Sequence, residues 1–461
     1  MNDQPLQYKR DPNSGSQGQG SLRPFAWIVL TLVCLGALAS WWFFSGSARQ
    51  SLQAAQQPSG LFSTSKNGSW NLQFDAYAPA GSSTVLPQSS TAEEMIEHVY
   101  ELLRASDRST ALTQTQILLA QYPNFQLAHL ILADLLNEQS TTPIDPKSIE
   151  GKETSSGLNR YDELLLESNR RLNRPQAASL QGLIPRNIVS LSPQNPYFIA
   201  VDTSKSRLYW FANKTIDPLK PQLKLLLETY VSVGQKGIGK SREGDGRTPL
   251  GVYFVNKNLK GQMLPDLYGA GALTLNYPNA LDLMRGQTGS GIWLHGTPSE
   301  QFSRAPLATD GCVVLSNPDM DRLLHLKNVE KTPVLITEKL EWVSSDRVAN
   351  DREAFKKALD QWVRDRQTSN LDGLKNTYSE QFQRDGKGLS SWWPEIASAA
   401  QSGAIKNTVE MQSIIEWKDA QDYMVVNVTN PNQSRFKRNQ NLRMYWTKSS
   451  GNWQIVYEGP V

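Results

Sequence analysis

Cysteine and histidine are both scarce in this sequence of 461 residues, which contains two cysteines and four histidines. The two cysteines, Cys34 and Cys312, provide no CxxC pair, no thiolate cluster for zinc and no disulfide framework. An excess of charge of one sign is also lacking, because 47 lysines and arginines stand against 44 acidic residues. The chain therefore has no general electrostatic reason to bind nucleic acid, and we expect no nucleic-acid partner.

Motifs for cofactors are lacking as well. There is no Walker-type loop, and the glycine-rich segment 234–239 has neither the strand-helix context nor the later acidic residue of a dinucleotide site. His98 and His129 lie in helical patterns, and nothing near them supplies a metal-ligand spacing. We therefore expect no cofactor and no metal.

One long uncharged run is present, residues 25–44, with the sequence FAWIVLTLVCLGALASWWFF. As a helix it would span about 30 Å, the hydrocarbon thickness of a bilayer. Basic residues precede this run and are almost absent just after it, which predicts a cytoplasmic tail at 1–24 and a single-pass anchor in the inner membrane, with the rest of the chain in the periplasm. The alternative is a cleaved signal peptide, because Ala37-Leu38-Ala39 resembles a signal peptidase site.

The chain beyond this run is long enough for several domains. A stretch rich in Ser, Gln and Gly indicates a flexible linker, and helical spacing then predicts three helices with breaks at 106–107 and 122–124. The segment around the second break is similar to a tetratricopeptide-type hairpin, and we expect this module to dock a protein partner or form a dimer. The predicted parts are a linker at 45–90, a helical module at 91–138, a linker with one helix at 139–194, a β-rich domain at 195–340 and a third unit at 350–461.

Short apolar runs predict that residues 195–340 are mostly strands. Two such runs flank 202–206 in a pattern typical of a hairpin, and further strands are expected within 223–233, 251–255, 292–294 and 334–337. In 350–461, two amphipathic helices are followed by four strand-like segments. This order predicts an α+β unit with a curved antiparallel sheet.

The most informative stretch is 291–317, where His295 closes an apolar strand and Cys312 follows 17 residues later. Cys34 lies in the predicted membrane helix as a packing residue, so Cys312 is the one thiol expected outside the membrane. A neighbouring imidazole can take the proton of a thiol and make it a nucleophile. Gly311 allows a tight turn before the cysteine, so that nearby amide N–H groups could stabilise an oxyanion. Residues 295 and 312 are therefore a candidate dyad for acyl transfer.

These motifs resemble the L,D-transpeptidase (YkuD-like) catalytic domain family, whose signature is a His-Gly dipeptide followed by Ser/Thr-x-Gly-Cys. Here the two motifs are His295-Gly296 and Thr309-Asp310-Gly311-Cys312, and the upstream segments VSVGQ at 231–235 and GDGRTPLGVY at 244–253 are also similar to family elements. The resemblance covers about 140 residues.

The resemblance implies a chemistry and a set of roles. Cys312 would attack the carbonyl of a diaminopimelate residue in a peptidoglycan stem peptide, with His295 as the base and the backbone carbonyl of Gly296 orienting it. The Gly311 and Cys312 amides would form the oxyanion hole, and Thr309 and Asp310 would contribute to substrate binding. Many members carry Arg or Asn two residues after the cysteine, where this chain has Val314, and the candidate substitutes are Arg247 and Arg285.

The third unit, 350–461, resembles a nuclear transport factor two-like domain, which has a cone-shaped sheet wrapped on helices. A transpeptidase-type domain followed by such a unit is similar to the cell-shape L,D-carboxypeptidases. Three functions therefore stay open: an L,D-transpeptidase, which is the main expectation; an L,D-carboxypeptidase or amidase that uses water as acceptor; and a wall-binding scaffold without activity. Sequence alone does not select the acceptor, because the acceptor depends on loop shape around Cys312.

Overall fold

A computed structural model describes residues 90–137, 159–175, 177–302, 304–345, 352–401, 409–429, 441–449 and 451–461. The predicted cytoplasmic tail, the membrane helix at 25–44 and nearly all of the 45–90 linker lie outside these ranges. Within the ranges, no helix combines the length and the apolar character that a membrane crossing requires.

The helical module begins with three helices, and a fourth follows the undescribed stretch. The helices are α1 (Ala92–Arg104), α2 (Arg108–Gln121), α3 (Gln126–Leu136) and α4 (Arg160–Leu172). The first helix starts with a capping box, in which Thr91 and Glu94 satisfy each other's backbone N–H groups. Asp107 caps the second helix, because its side chain accepts a hydrogen bond from the Thr110 backbone N–H. The breaks between helices lie where the sequence predicts them.

An eight-stranded mixed sheet forms the centre of the β-rich domain. Its strands are β3 (Tyr197–Asp202), β4 (Arg207–Asn213), β5 (Leu223–Tyr230), β7 (Gly251–Lys260), β8 (Gly271–Leu275), β9 (Trp293–His295), β11 (Val313–Val314) and β12 (Pro333–Thr337). Their order across the sheet is β11-β9-β8-β7-β12-β3-β4-β5. A small parallel pair, β6 (Val233–Gly234) with β10 (Leu307–Thr309), lies beside it. Two short helices complete the domain, α5 (Ala280–Met284) and α6 (Asn317–Leu324).

Both faces of this sheet are buried, each by a different layer. On β3, Ile199 and Val201 belong to a core that also contains Met320 of α6. The alternate residues Phe198 and Ala200 belong to a second core. This alternation follows from the two-residue period of a strand, which sends successive side chains to opposite faces.

The C-terminal unit supplies the layer on that second face. It contains the helices α7 (Glu353–Thr368), α8 (Leu371–Asn376) and α9 (Leu389–Gln401), and a short hairpin of β14 (Gln383–Arg384) and β15 (Lys387–Gly388). Its main sheet contains the strands β16 (Glu410–Lys418), β17 (Asp422–Thr429), β18 (Asn441–Ser449) and β19 (Asn452–Pro460). Ile415, Val425 and Val456 from its sheet join Phe198 in the second core, so the two units share buried apolar surface. Helix α9 contains Pro394 and is absent from the sequence prediction, because the Trp-Trp-Pro segment lacks a clear helical period.

The linker predicted at 139–194 is more structured than expected. Besides α4 it contains β1 (Leu183–Pro185) and β2 (Ile188–Leu191). The first pairs with β13 (Trp342–Ser344), and the second is an edge strand of the C-terminal sheet, paired with β16. Strand pairing across more than 150 residues leaves no local signal in such short segments, which is why the sequence indicates a linker here.

A buried ion cluster joins the helical module to the β-rich domain. Arg171 of α4 is fully buried and pairs with Glu93, Glu97 and Glu167. Its guanidinium also lies 4.1 Å from the ring centroid of Tyr230 on β5. The cluster fixes α1 and α4 against the sheet edge, which places the helical module beside the loops that follow β9.

Candidate active site

Strand pairing brings the two predicted catalytic residues together. His295 is the last residue of β9, and Cys312 directly precedes β11. These strands run parallel and pair Leu294 with Val313 and His295 with Val314. The 17-residue separation in sequence therefore becomes a neighbouring position on two adjacent strands.

The imidazole of His295 is held in one tautomer. Its Nδ1 lies 2.7 Å from the carbonyl oxygen of Gly296, and because a carbonyl can only accept, Nδ1 carries the hydrogen. The other ring nitrogen, Nε2, then has a free lone pair in the neutral ring. The Tyr268 ring packs against the His295 ring in an edge-type contact, with the two ring centroids 5.1 Å apart. The hydrogen bond between Nδ1 and the Gly296 carbonyl is the contact through which this carbonyl would orient the ring.

Burial keeps this ring neutral. His295 is only 4% exposed, and desolvation lowers its pKa from the ordinary value of 6.5 to about 4. The hydrogen bond to Gly296 acts in the opposite direction, and the positive charge of Arg304 lowers the pKa further. At neutral pH the residue is therefore a base that is ready to accept a proton.

The thiol of Cys312 is protonated in this arrangement. Its Sγ donates to the carbonyl oxygen of Gly291 at 3.3 Å. Burial raises the pKa of the thiol, whereas a hydrogen bond from the Trp293 backbone lowers it. The structure thus has a neutral thiol and a neutral imidazole on two adjacent strands.

The turn that carries the thiol is braced by Thr309. Its Oγ1 donates to the Cys312 carbonyl at 2.7 Å and accepts from the Gly311 N–H at 3.1 Å. Gly311 has φ +126°, and a Cβ there would lie 2.6 Å from the carbonyl oxygen of Arg247, so the turn requires glycine. These contacts change one expectation: the Gly311 N–H is already bonded to Thr309, which leaves the Cys312 amide as the predicted oxyanion donor.

The other predicted substrate-binding residues are engaged elsewhere. The Arg247 guanidinium donates to the Ile238 carbonyl at 2.8 Å, and Asp310 accepts from Gln235 at 2.8 Å. Arg285 pairs with Asp419 of the C-terminal unit and lies 4.9 Å from the Trp417 ring centroid. Arg285 therefore contributes to the contact between two units, and the structure does not bring it to the catalytic pair.

Three residues near the pair carry no distinctive sequence signal. The charge of Arg304 acts on both His295 and Cys312, although eight residues separate it from the cysteine. Lys240, buried and paired with Asp245 at 2.9 Å, also acts on the thiol. The sequence alone does not show that the charges of Arg304 and Lys240 act on the thiol, because the fold places them near it.

Asn317 is the third, and it fixes the loop that contains the His-Gly dipeptide. Its Nδ2 donates to the Thr297 carbonyl at 2.8 Å, and its Oδ1 accepts from the Ala270 N–H at 2.9 Å. A Cβ at Gly296 would lie 2.2 Å from this Oδ1, so the close approach requires glycine at position 296. Asn317 therefore holds in place the carbonyl that orients the His295 ring.

Metal ligation has no support in the part of the chain that the structure describes. No three residues among its His, Cys, Asp and Glu side chains are grouped as an ion would require.

Comparison with known proteins gives matches over the same region. Residues 196–336 match the sequence model of the YkuD family, described as the L,D-transpeptidase catalytic domain. The Escherichia coli K12 protein YafK, which carries a provisional L,D-transpeptidase name, is 28% identical over 114 residues. That match covers 22% of this chain and 42% of YafK, so it spans less than half of that relative's length.

Two solved structures are similar over a longer stretch. Bd1075 of Bdellovibrio bacteriovorus is 25% identical with a TM-score of 0.48, and the match covers 60% of this chain and 99% of that one. The helical cell shape determining protein Pgp2 of Campylobacter jejuni is 20% identical with a TM-score of 0.46, covering 60% of this chain and 95% of that one. The family match, which includes both His295 and Cys312, is the finding that assigns the domain. Residues 196–336 of this chain form an L,D-transpeptidase catalytic domain of the YkuD family.

Proposed function

We propose that this chain is a cysteine-dependent L,D-transpeptidase that acts on peptidoglycan stem peptides, with Cys312 as nucleophile and His295 as base. One observation carries the proposal: the Gly296 carbonyl fixes the His295 tautomer so that Nε2 has a free lone pair on the strand next to the thiol. The substrate would be a stem peptide whose diaminopimelate carbonyl is joined to a terminal D-alanine.

The first half of the reaction forms a thioester. The Cys312 thiol leaves its contact with Gly291, its proton moves to His295 Nε2, and sulfur attacks the diaminopimelate carbonyl. The Cys312 amide stabilises the oxyanion of the tetrahedral intermediate. The C–N bond then breaks, the proton passes from His295 to the leaving amine, and D-alanine departs.

The second half decides the product. An acceptor amine that attacks the thioester gives a cross-link, whereas water gives a trimmed tripeptide, and either attack returns the proton to the sulfur. The L,D-carboxypeptidase or amidase alternative therefore uses the same residues and the same acyl-enzyme. A scaffold without activity would need neither the fixed tautomer nor a thiol on the adjacent strand.

The proposal extends to location and partners. The uncharged run at 25–44 supports an anchor in the inner membrane with the catalytic domain in the periplasm, where peptidoglycan is found. The helical module would dock a protein partner or a second copy. A reporter fused after residue 461 and assayed on both sides of the membrane tests the orientation, and activity confined to the cytoplasm contradicts it.

Digestion of purified sacculi tests the function. The full-length protein is incubated with sacculi, and the muropeptides are then separated and identified by mass. We expect new diaminopimelate-diaminopimelate dimers, whereas loss of tetrapeptide with gain of tripeptide would favour the carboxypeptidase alternative. Cys312→Ala is the matched control, and unchanged muropeptides with the parent protein would contradict both enzymatic functions.

A further inference from the structure

A cleft of about 420 Å³ lies between the helical module and the loop that follows β9. The helical side contributes the segment 124–127 and Arg160, and the catalytic side contributes residues of the loop that leads to Cys312. The lining on the catalytic side is Glu300, Gln301, Phe302, Arg304, Ala305 and Ala308. Ala308 lies four residues before Cys312 in the sequence.

The wall formed by this loop is held from both sides. The Phe302 ring packs against Tyr122 and Phe125 of the helical module, with centroids 4.9 Å and 5.7 Å away. On the other side, Tyr230 Oη donates to the Arg304 carbonyl at 2.8 Å, and Ser232 Oγ donates to the Ala305 carbonyl at 2.6 Å. A ligand in the cleft would therefore meet a preorganised surface.

The electrostatics of the cleft centre on Arg304. Its guanidinium is partly buried and forms no ion pair with any residue in the described ranges, and burial lowers its pKa. The second cation, Arg160, is already bonded to Glu163 at 3.0 Å and to Gln126 at 2.7 Å. Glu300 is the one acidic residue among the lining side chains.

A partly desolvated guanidinium that no carboxylate contacts in the described ranges, although the charge of Asp310 acts on it, indicates an anionic ligand. Arginine presents a planar fork that matches a carboxylate with two parallel hydrogen bonds. The remaining lining combines aromatic rings with the amides of Asn124, Gln126 and Gln301, which suits the backbone and side chains of a peptide.

We propose that this cleft is a substrate subsite in which Arg304 binds a carboxylate of the stem peptide and the helical module forms the opposite wall. The inference rests on the proposed function, because it takes the ligand to be a stem peptide. It assigns the helical module a part in substrate binding in addition to any docking role.

Binding to a protein that cannot turn over tests the subsite directly. Isothermal titration calorimetry compares full-length Cys312→Ala with Cys312→Ala/Arg304→Gln, using a synthetic tetrapeptide that ends in diaminopimelate and D-alanine. Analogues with one carboxylate at a time replaced by a primary amide are titrated in parallel. We expect Arg304→Gln to weaken binding of the parent peptide about tenfold or more, the range for a charge-assisted hydrogen bond.

The amide analogues identify the pairing. For one of them, Arg304→Gln should have no further effect, because the partner carboxylate is already missing. Arg108→Gln, which removes an exposed arginine of the helical module outside the cleft, is the matched control and should bind the parent peptide normally. Arg304→Lys should recover part of the affinity.

Other outcomes overturn the subsite. These are an equal loss for every analogue, an unchanged affinity in Arg304→Gln, or no binding of the tetrapeptide to Cys312→Ala. Acylation of Cys312 in the parent protein is measured separately by intact mass. Failure of acylation counts against the proposed function, whereas acylation with Arg304-independent binding counts against the subsite alone.

Discussion

The buried imidazole of His295 leads to a prediction about its titration. Burial lowers its pKa from 6.5 to about 4, so lowering the pH to 5 should leave the ring neutral although an exposed histidine would be charged. A difference of about 2.5 pH units corresponds to roughly 3.4 kcal/mol between the two protonation states. The base should therefore be available over the whole neutral and mildly acidic range.

Nuclear magnetic resonance measures this titration directly. The chain has four histidines, so the His295 signals are assigned from the spectrum of His295→Asn, and their shifts are followed from pH 3.5 to 8. We expect a midpoint near pH 4 for the His295 signals. A His295 midpoint at or above 6.5 would mean that burial does not keep the ring neutral, because it would indicate a solvated ring or an ion pair with the thiolate.

The same shift changes stability with pH. Between pH 6.5 and 4 the unfolded chain binds a proton at position 295 that the folded chain does not, so the free energy of unfolding falls as the pH falls through this window. Glu93 and Asp282 act oppositely, because burial raises each pKa to about 7. Comparison with His295→Asn isolates the imidazole: from pH 7 to 4.5 the parent should lose about 2.5 kcal/mol more than the variant in urea denaturation.

Three substitutions test the surroundings of the pair. Thr309→Val removes the hydroxyl that braces the nucleophile turn, and we expect kcat to fall about tenfold or more with a stability loss of about 2 kcal/mol, measured by steady-state kinetics and urea denaturation. Asn317→Ala frees the loop around Gly296, and the His295 pKa should rise toward 6.5 as water reaches the ring, which the same titration detects. Arg171→Met leaves buried carboxylates without a cation, and the free energy of unfolding should fall by about 3–5 kcal/mol.

For each of the three substitutions, a different result would contradict the role given to the residue. An unchanged kcat in Thr309→Val would show that the hydroxyl does not position the thiol. A midpoint that stays near pH 4 in Asn317→Ala would assign the low pKa to burial that does not depend on this side chain. A loss below 1 kcal/mol in Arg171→Met, at a pH where the carboxylates of the parent are ionised, would mean that the cluster does not hold the helical module.

Local patterns were sufficient for much of the fold. The alternation around 202–206 predicts a hairpin, and the structure has one between β3 and β4. Helix breaks at Asp107 and near Pro123 are visible because capping residues and proline act locally. Strand β2 was missed because its partner β16 is more than 200 residues away.

The candidate site likewise contains residues that short sequence motifs predict and contacts that only the folded structure shows. His295, Gly296 and Cys312 were identified from short motifs, since strand-end and turn chemistry is compact in sequence. The engagement of the Gly311 N–H by Thr309 depends on the shape of the turn before Cys312, and the proximity of Arg304 depends on the path of the loop after β9. Arg285 illustrates the opposite case, because its ion pair with Asp419 draws it into a contact that its own neighbourhood does not predict.

The central claim is that Cys312 forms an acyl-enzyme with His295 as its base, and intact-mass measurement tests it most directly. The full-length protein is kept reduced, incubated with a carbapenem and compared with Cys312→Ala and His295→Asn. We expect one covalent adduct on the parent, none on Cys312→Ala and much slower formation on His295→Asn. No adduct on the parent, or an adduct that persists in Cys312→Ala, would contradict it.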